Sequence, residues 1–322
     1  MRISLTSIRA LAALALALVA TVPLACGSAV SRGFDDSGDG GGPGDDGGSG
    51  GPDDGGQLFG DAGGPTEGGW DAAGCSAPVD MFIMFDRSGS MGTDCNVGDT
   101  TVSRWCHSVN ALSGYFKSSG AANQAAAIQF FPLDTHSDPL CTSGNGYNVP
   151  AIPGTPPAYL ALPTNAFDAV LNGTGPGAMS LGTPTEAAIR GLTKFTAANA
   201  RAGRVTIGIL VTDGSPNGCN QTLTDLSNLL AAHHAATKVR TYVIGMEGAT
   251  FDALEAIAQG GNAPLHPDVV GSVTDACGNG AGPCRHWNVA NGDPSVFTAA
   301  LSAIQESADG CKDGGGFVNP PK

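Results

Sequence analysis

Residues 79–91 read Val-Asp-Met-Phe-Ile-Met-Phe-Asp-Arg-Ser-Gly-Ser-Met. The apolar run, interrupted once by Asp80, stops at Asp86, and a polar turn follows it. A run this short and this continuously apolar predicts a strand covered on both faces, as in a parallel sheet, because a strand with one wet face would alternate. Asp86, Ser88 and Ser90 stand at alternate positions, so an extended turn would direct three oxygen-bearing side chains to one side. Gly89 and Gly92 are expected to let that turn tighten.

Working outward, Ala125–Phe131, Val205–Val211 and Val239–Ile244 are further short apolar runs, and helical stripes lie between the runs. Trp105, Val109, Leu112 and Phe116 fall on one helix face, as do Leu223, Leu226 and Leu230, and Phe251, Leu254 and Ile257 with Gly260 as a C-terminal stop. A last stripe, Phe297, Leu301 and Ile304, is entered through Asp293 as N-cap and Pro294 as first helical residue. Strand alternating with helix predicts an α/β fold, a doubly wound, mostly parallel sheet flanked by helices. Residues 134–164, rich in Pro, Gly and Thr, are expected to form a long excursion or hairpin. Residues 260–286 are expected to form a second irregular loop before a last strand near His286–Ala290.

In such a sheet, ligands collect at the carboxyl ends of the strands, where segments distant in sequence converge. Two more oxygen-rich stretches qualify. Asp213 follows the third run in Leu210-Val-Thr-Asp-Gly-Ser-Pro216, and Thr183 lies in Leu181-Gly-Thr-Pro-Thr-Glu-Ala187. Each has an ordinary alternative: Asp and Ser are turn formers, and Thr183-Pro184-Thr185-Glu186 reads as a helix capping box with Pro at the first position. Thr183 or Thr185 could then be the member that turns toward the others.

The ends of the chain differ in kind from its middle. Residues 1–25 carry Arg2 and Arg9 and then run through Ala and Leu to Ala25, the basic and apolar regions of a secretory signal. The apolar part is shorter than the ~20 residues a membrane span needs. Cys26 follows in Pro23-Leu24-Ala25-Cys26, which resembles the acylation site of a bacterial lipoprotein although Pro23 and Leu24 depart from the usual residues. A lipid anchor at Cys26 is expected, with cleavage by an ordinary signal peptidase as the alternative. Residues 26–74 are expected to be a disordered Gly/Asp-rich tether, since so few large apolar side chains cannot offset chain entropy. A folded domain over 75–311 and a flexible tail over 312–322 complete the division.

The chain has 322 residues, 41% of them apolar, enough for a sizeable core, and a formal net charge of −14. That charge argues against a nucleic-acid partner, which requires clustered Lys and Arg. Nine cysteines become eight once Cys26 is set aside, and an even number in an exported chain suggests up to four disulfides. No G-x-S-x-G elbow, phosphate-binding glycine loop or H-E-x-x-H is present, and adjacent His233 and His234 do not share a helix face.

Taken together, Asp86-Arg87-Ser88-Gly89-Ser90, Thr183 and Asp213, in that order along the chain, resemble the metal-ion-dependent adhesion site of the von Willebrand factor A family. Val79–Phe85 with its acidic second residue resembles that family's first strand, and the likeness runs from Cys75 to Cys311. It implies a divalent cation, Mg2+ above Ca2+ or Mn2+, held by Asp86, Ser88, Ser90, Thr183 and Asp213. Hydroxyls would bind directly and the aspartates mainly through water. The incompletely neutralised ion could then accept a carboxylate from a protein or glycan partner. The resemblance also implies a Cys75–Cys311 pair bracketing the domain. Cys277 and Cys284 share one loop and are expected to pair. Cys95, Cys106, Cys141 and Cys219 all follow strand ends and should pair among themselves, Cys95 with Cys106 and Cys141 with Cys219 being one arrangement.

The expectation is thus an exported, lipid-anchored, non-enzymatic binding protein at the cell envelope, or a secreted one. Two alternatives stand beside it: an assembly module whose ion only holds loops together, and a metal-dependent hydrolase using a histidine such as His107 as base.

Overall fold

A computed structural model of the chain describes residues 77–133, 138–152, 158–177, 182–219, 221–278, 282–289 and 293–308. The signal segment, Cys26, the tether, Cys75, Cys311 and the tail lie outside the described residues. Six strands form one sheet in the order β3-β2-β1-β4-β5-β6. They are β1 (Val79–Asp86), β2 (Ala125–Phe131), β3 (Leu160–Ala161), β4 (Val205–Thr212), β5 (Arg240–Met246) and β6 (Trp287–Val289). Every pair is parallel except β2 with β3 at the edge. β1, β2 and β4 are buried along their whole length, which is why their sequences do not alternate.

The helices are α1 (Arg104–Lys117), α2 (Asp138–Ser143), α3 (Ala166–Gly173), α4 (Thr185–Asn199), α5 (Leu223–Thr237), α6 (Phe251–Gly260) and α7 (Pro294–Ala308). They pack in two sets, α1 with α3 and α7, and α2, α4, α5 and α6 in succession. Their ends follow local chemistry. Ser103 caps α1 by accepting from the Cys106 N–H, and Thr222 with Asp225 forms a reciprocal capping box on α5. Asp293 Oδ1 accepts from the Ser295 N–H at 2.8 Å ahead of Pro294, as the Asp-Pro pair predicts. Gly260 closes α6 for a different reason than expected. A Cβ there would lie 2.3 Å from the Ser227 carbonyl oxygen, so the residue permits close approach to α5.

The 134–164 region is a mixed excursion that contains α2 and the antiparallel edge strand β3. Gln129 anchors it: its Nε2 donates to the Gly146 carbonyl at 3.0 Å and to that of Val149. α3, for which the sequence offered no long apolar stripe, is fixed by buried Phe167 and Leu171, with the Phe167 ring 4.2 Å from Phe116.

At the amino ends of the strands, Asp80 is fully buried and chelated by two guanidiniums. Arg201 donates through Nε and Nη2 at 2.6 and 2.5 Å, and Arg204 through Nε at 2.5 Å. Asp80→Ala removes the common partner of both arginines. It is expected to cost about 3 kcal/mol in urea unfolding, the low end for breaking a buried pair, because the arginines are partly exposed and can recover solvent.

α4 and α5 are joined by His233 Nε2 and Thr196 Oγ1 at 2.9 Å, and burial pushes the His233 pKa from 6.5 down to about 4. The folded state therefore holds this proton less tightly than the unfolded chain does. The stability His233 contributes above pH 6.5 should be lost as pH falls toward 4, by roughly 1 kcal/mol after allowance for partial exposure. Thermal melts of the wild type and of His233→Gln across that window test this, the variant being the flatter of the two.

Candidate metal centre

β1 pairs with β2 on one side and β4 on the other, so the strand order reverses between β1 and β4. Crevices at the carboxyl ends of a doubly wound sheet open at such a reversal. The register sets Phe85 opposite Val211, so the two central strands end level, with Asp86 beside Thr212 and Asp213.

The turn after β1 is not extended. Residues 89–91 form a single 3-10 turn, and it closes through Gly92 at φ +102°, while Gly89 has no left-handed conformation. The alternate spacing still succeeds, because the turn brings Ser88 Oγ and Ser90 Oγ within 3.0 Å. Ser90 Oγ donates to Asp213 Oδ1 at 2.8 Å. The Ser88 N–H donates to Asp86 Oδ1 at 2.7 Å, and Thr212 Oγ1 donates to Asp86 Oδ2 at 2.6 Å. Ser88, Ser90 and Asp213 are thereby linked side chain to side chain, and the Asp86 carboxylate joins them through the Ser88 N–H.

Thr183, the fifth, arrives on the loop before α4. Its N–H donates to Asn217 Oδ1 at 2.7 Å, and its carbonyl accepts from the Asn217 N–H at 2.9 Å, which ties this loop to the one carrying Asp213. A Cβ built on Gly214 would lie 3.1 Å from Thr183 Oγ1, so glycine here leaves room for the hydroxyl. The capping-box reading of Thr183 does not hold. α4 begins at Thr185, one residue later than that box requires, with Pro184 at the cap and no side-chain capping bond. Thr185 Oγ1 donates to the Thr183 carbonyl at 3.3 Å, whereas Thr183 Oγ1 makes no hydrogen bond among the described residues. Of the two threonines, Thr183 is the one with a free hydroxyl, and it lies against Gly214, the residue after Asp213.

Asp86, Ser88, Thr183 and Asp213 are all buried, and Ser90 is the exposed member. Burial pushes the Asp86 carboxyl up to about 7, with hydrogen bonds from Thr212 and Ser88 opposing the rise and the charge of Asp213 adding to it. Asp86, which has no cationic partner among the described residues, is the poorly compensated carboxyl of the two, since Asp213 is paired with Arg104. Every side chain of the group offers oxygen, the donor type that hard divalent cations take and that soft metals do not select.

Three further participants lie outside the motifs. Thr212 fixes Asp86, Asn217 fixes Thr183, and Arg104 at the start of α1 donates through Nη1 to Asp213 Oδ2 at 3.0 Å and to the Ser90 carbonyl at 2.8 Å. Thr212 is adjacent to Asp213 and was within reach of a sequence reading. Arg104 and Asn217 carry no local signal, since only the fold brings them there.

The histidines take other places. His107 lines a cleft of about 280 Å3 with Ser90, Arg104 and Glu247, and it makes no hydrogen bond to Ser88 or Ser90. His234 bonds Val239 and Asn262. Cys95 is joined to Cys106, Cys141 to Cys219 and Cys277 to Cys284. His266, Cys277 and Cys284 have ligand atoms within 4.8 Å of one another, but the two sulfurs are bonded to each other.

No family model and no curated protein matches the chain. Among solved structures it is similar to proximal thread matrix protein 1 from the mussel byssus, at 11% identity over 73% of this chain with a TM-score of 0.42. It is also similar to the pilus adhesin SpaC from Lactobacillus rhamnosus GG, at 12% identity over 73% of this chain with a TM-score of 0.41. The chain spans 47% and 31% of the lengths of those two proteins.

Proposed function

We propose that this chain is an exported binding protein of the von Willebrand factor A type, lipid-anchored through Cys26, that captures a carboxylate-bearing protein or glycan partner through a divalent cation, Mg2+ above Ca2+ or Mn2+. The observation that carries the reading is the meeting of Ser88, Ser90 and Asp213 in one hydrogen-bonded chain at the strand-order reversal, with the Thr183 hydroxyl unbonded beside it. Asp86, Ser88, Ser90, Thr183 and Asp213 would hold the ion. The ion would supply a positive charge that relieves the two carboxyls and an open position for a partner's oxygen. Exposed Ser90 and the adjoining cleft mark the side from which a partner would approach.

A non-enzymatic role is supported by what surrounds the hydroxyls. Ser88 and Ser90 are bonded to each other, Ser90 donates to Asp213, and His107 is bonded to neither serine, so no histidine is set to activate them as the hydrolase alternative would require. Export is supported by the disulfides, which persist in oxidising compartments.

Capture from a cell-envelope extract should occur with Mg2+, be released by chelator and fail for Ser88→Ala. Retention that ignores chelator would overturn the proposal. Raised thermal stability in Mg2+ with no retained partner would point to the assembly-module alternative.

A further inference from the structure

The Arg104–Asp213 ion pair sits inside the oxygen cluster. Asp213 has a fully buried side chain and accepts from Arg104 Nη1 at 3.0 Å, and the same nitrogen holds the Ser90 carbonyl at 2.8 Å. Arg104 is therefore bonded to two of the residues that would surround an ion. Its placement is over-determined. Arg104 opens α1, Ser103 caps that helix, and the Cys95–Cys106 bond fastens the helix to the loop that follows the Asp86–Ser90 turn. Gly248, on the loop after β5, makes room for the guanidinium, since a Cβ there would stand 3.2 Å from Arg104 Nη2.

The charge inventory follows directly. Asp86 and Asp213 supply two carboxylates and Arg104 one fixed positive charge. With both carboxylates ionised, the cluster carries a net single negative charge without an ion and a net single positive charge with a divalent one. Without Arg104, the loaded cluster would be neutral. Arg104 repels the ion and competes for Asp213, and it also leaves the loaded site cationic. Nε and Nη2 have no partner among the described residues, and the residue lines the cleft next to Ser90.

We infer that Arg104 is a specificity-determining residue that couples cation loading to an anionic partner: it weakens the bare ion and strengthens the complex of ion and carboxylate. This rests on the metal reading above. The carboxylate already proposed for the partner would then be read jointly by the ion and the free guanidinium donors, which would set it apart from a neutral carbonyl or hydroxyl that an ion alone would accept.

The test is calorimetric titration of the full chain with Mg2+ alone, for the wild type, Arg104→Ala and Arg104→Lys, with retention on immobilised polyglutamate at saturating Mg2+ as a second readout. Loss of the positive charge should tighten Mg2+ binding about tenfold in Arg104→Ala while weakening polyglutamate retention, and Arg104→Lys should stay within about twofold of the wild type on Mg2+. A merely structural arginine cannot move the two readouts in opposite directions. Unchanged or weaker Mg2+ binding by a folded Arg104→Ala overturns the inference and leaves the metal reading intact. If Arg104→Ala fails to fold, Arg104→Lys decides, a large change in its Mg2+ affinity being the contrary result. No Mg2+ binding by the wild type overturns the metal reading, and this inference with it.

Discussion

Asp213→Ala should lose divalent-cation affinity by at least about 100-fold, the upper end of what even an outer-shell partner costs, and with it all chelator-sensitive capture. Asp213 accepts from Ser90 Oγ and from Arg104, so its removal unfixes a hydroxyl donor and frees a guanidinium to face the ion position without a counter-charge. The remaining carboxylate, Asp86, has both oxygens engaged by Ser88 and Thr212. The fold itself should survive. Asp213 lies beyond the last residue of β4, and Arg104 is 29% exposed and can turn to water. Far-UV circular dichroism matching the wild type, together with loss of the Mg2+-induced rise in Tm, is the expected pair of results. A variant that keeps its Mg2+ response would remove Asp213 from the site.

The largest effect on stability should come from the Cys141–Cys219 bond. It joins the α2 segment to the loop after Asp213 across 78 residues of chain, the widest separation among the bonds of the described residues. Chain entropy places the benefit of closing such a loop at about 4 kcal/mol, a substantial part of the stability of an ordinary domain. The double substitution of Cys141 and Cys219 by Ser should shift the urea midpoint accordingly. It should also weaken Mg2+ binding, because Asn217, which orients Thr183 from both its backbone and its side chain, lies two residues before Cys219. Cys277–Cys284 closes only 7 residues and neither cysteine lies in the loops that carry Asn217 and Thr183, so its removal should leave Mg2+ binding unchanged. Equal losses from the two bonds would mean that they act on the fold generally and not on the loop that carries the site.

Most of the framework was open to reading from side-chain type alone. The strands of a sheet covered on both faces are written as unbroken apolar runs, so β1, β2, β4 and β5 could be placed to within two residues. Two of the expected disulfides, Cys95–Cys106 and Cys141–Cys219, are present because cysteines after strand ends are gathered at one end of the sheet, and the third, Cys277–Cys284, because both cysteines share one loop. Short elements escaped: β3 has two residues and α3 eight, too few for a period to declare itself. At the site, the five oxygen-bearing side chains were named through the resemblance that their motifs carry, but the shape of their turn could not be. The 89–91 segment coils because Gly92 adopts φ +102°, a backbone freedom that a glycine permits without announcing. Arg104 was beyond reach for a deeper reason. It touches Asp213 across more than a hundred positions of chain, and nothing in the composition of α1's first turn distinguishes this arginine from a solvated one.

Crystals of the protein soaked in Mn2+, a scattering substitute for Mg2+, offer the most direct test. One anomalous peak per chain is expected, between the hydroxyls of Ser88, Ser90 and Thr183 and next to Asp213. A peak elsewhere, or none at a concentration that saturates the protein in solution, would contradict it.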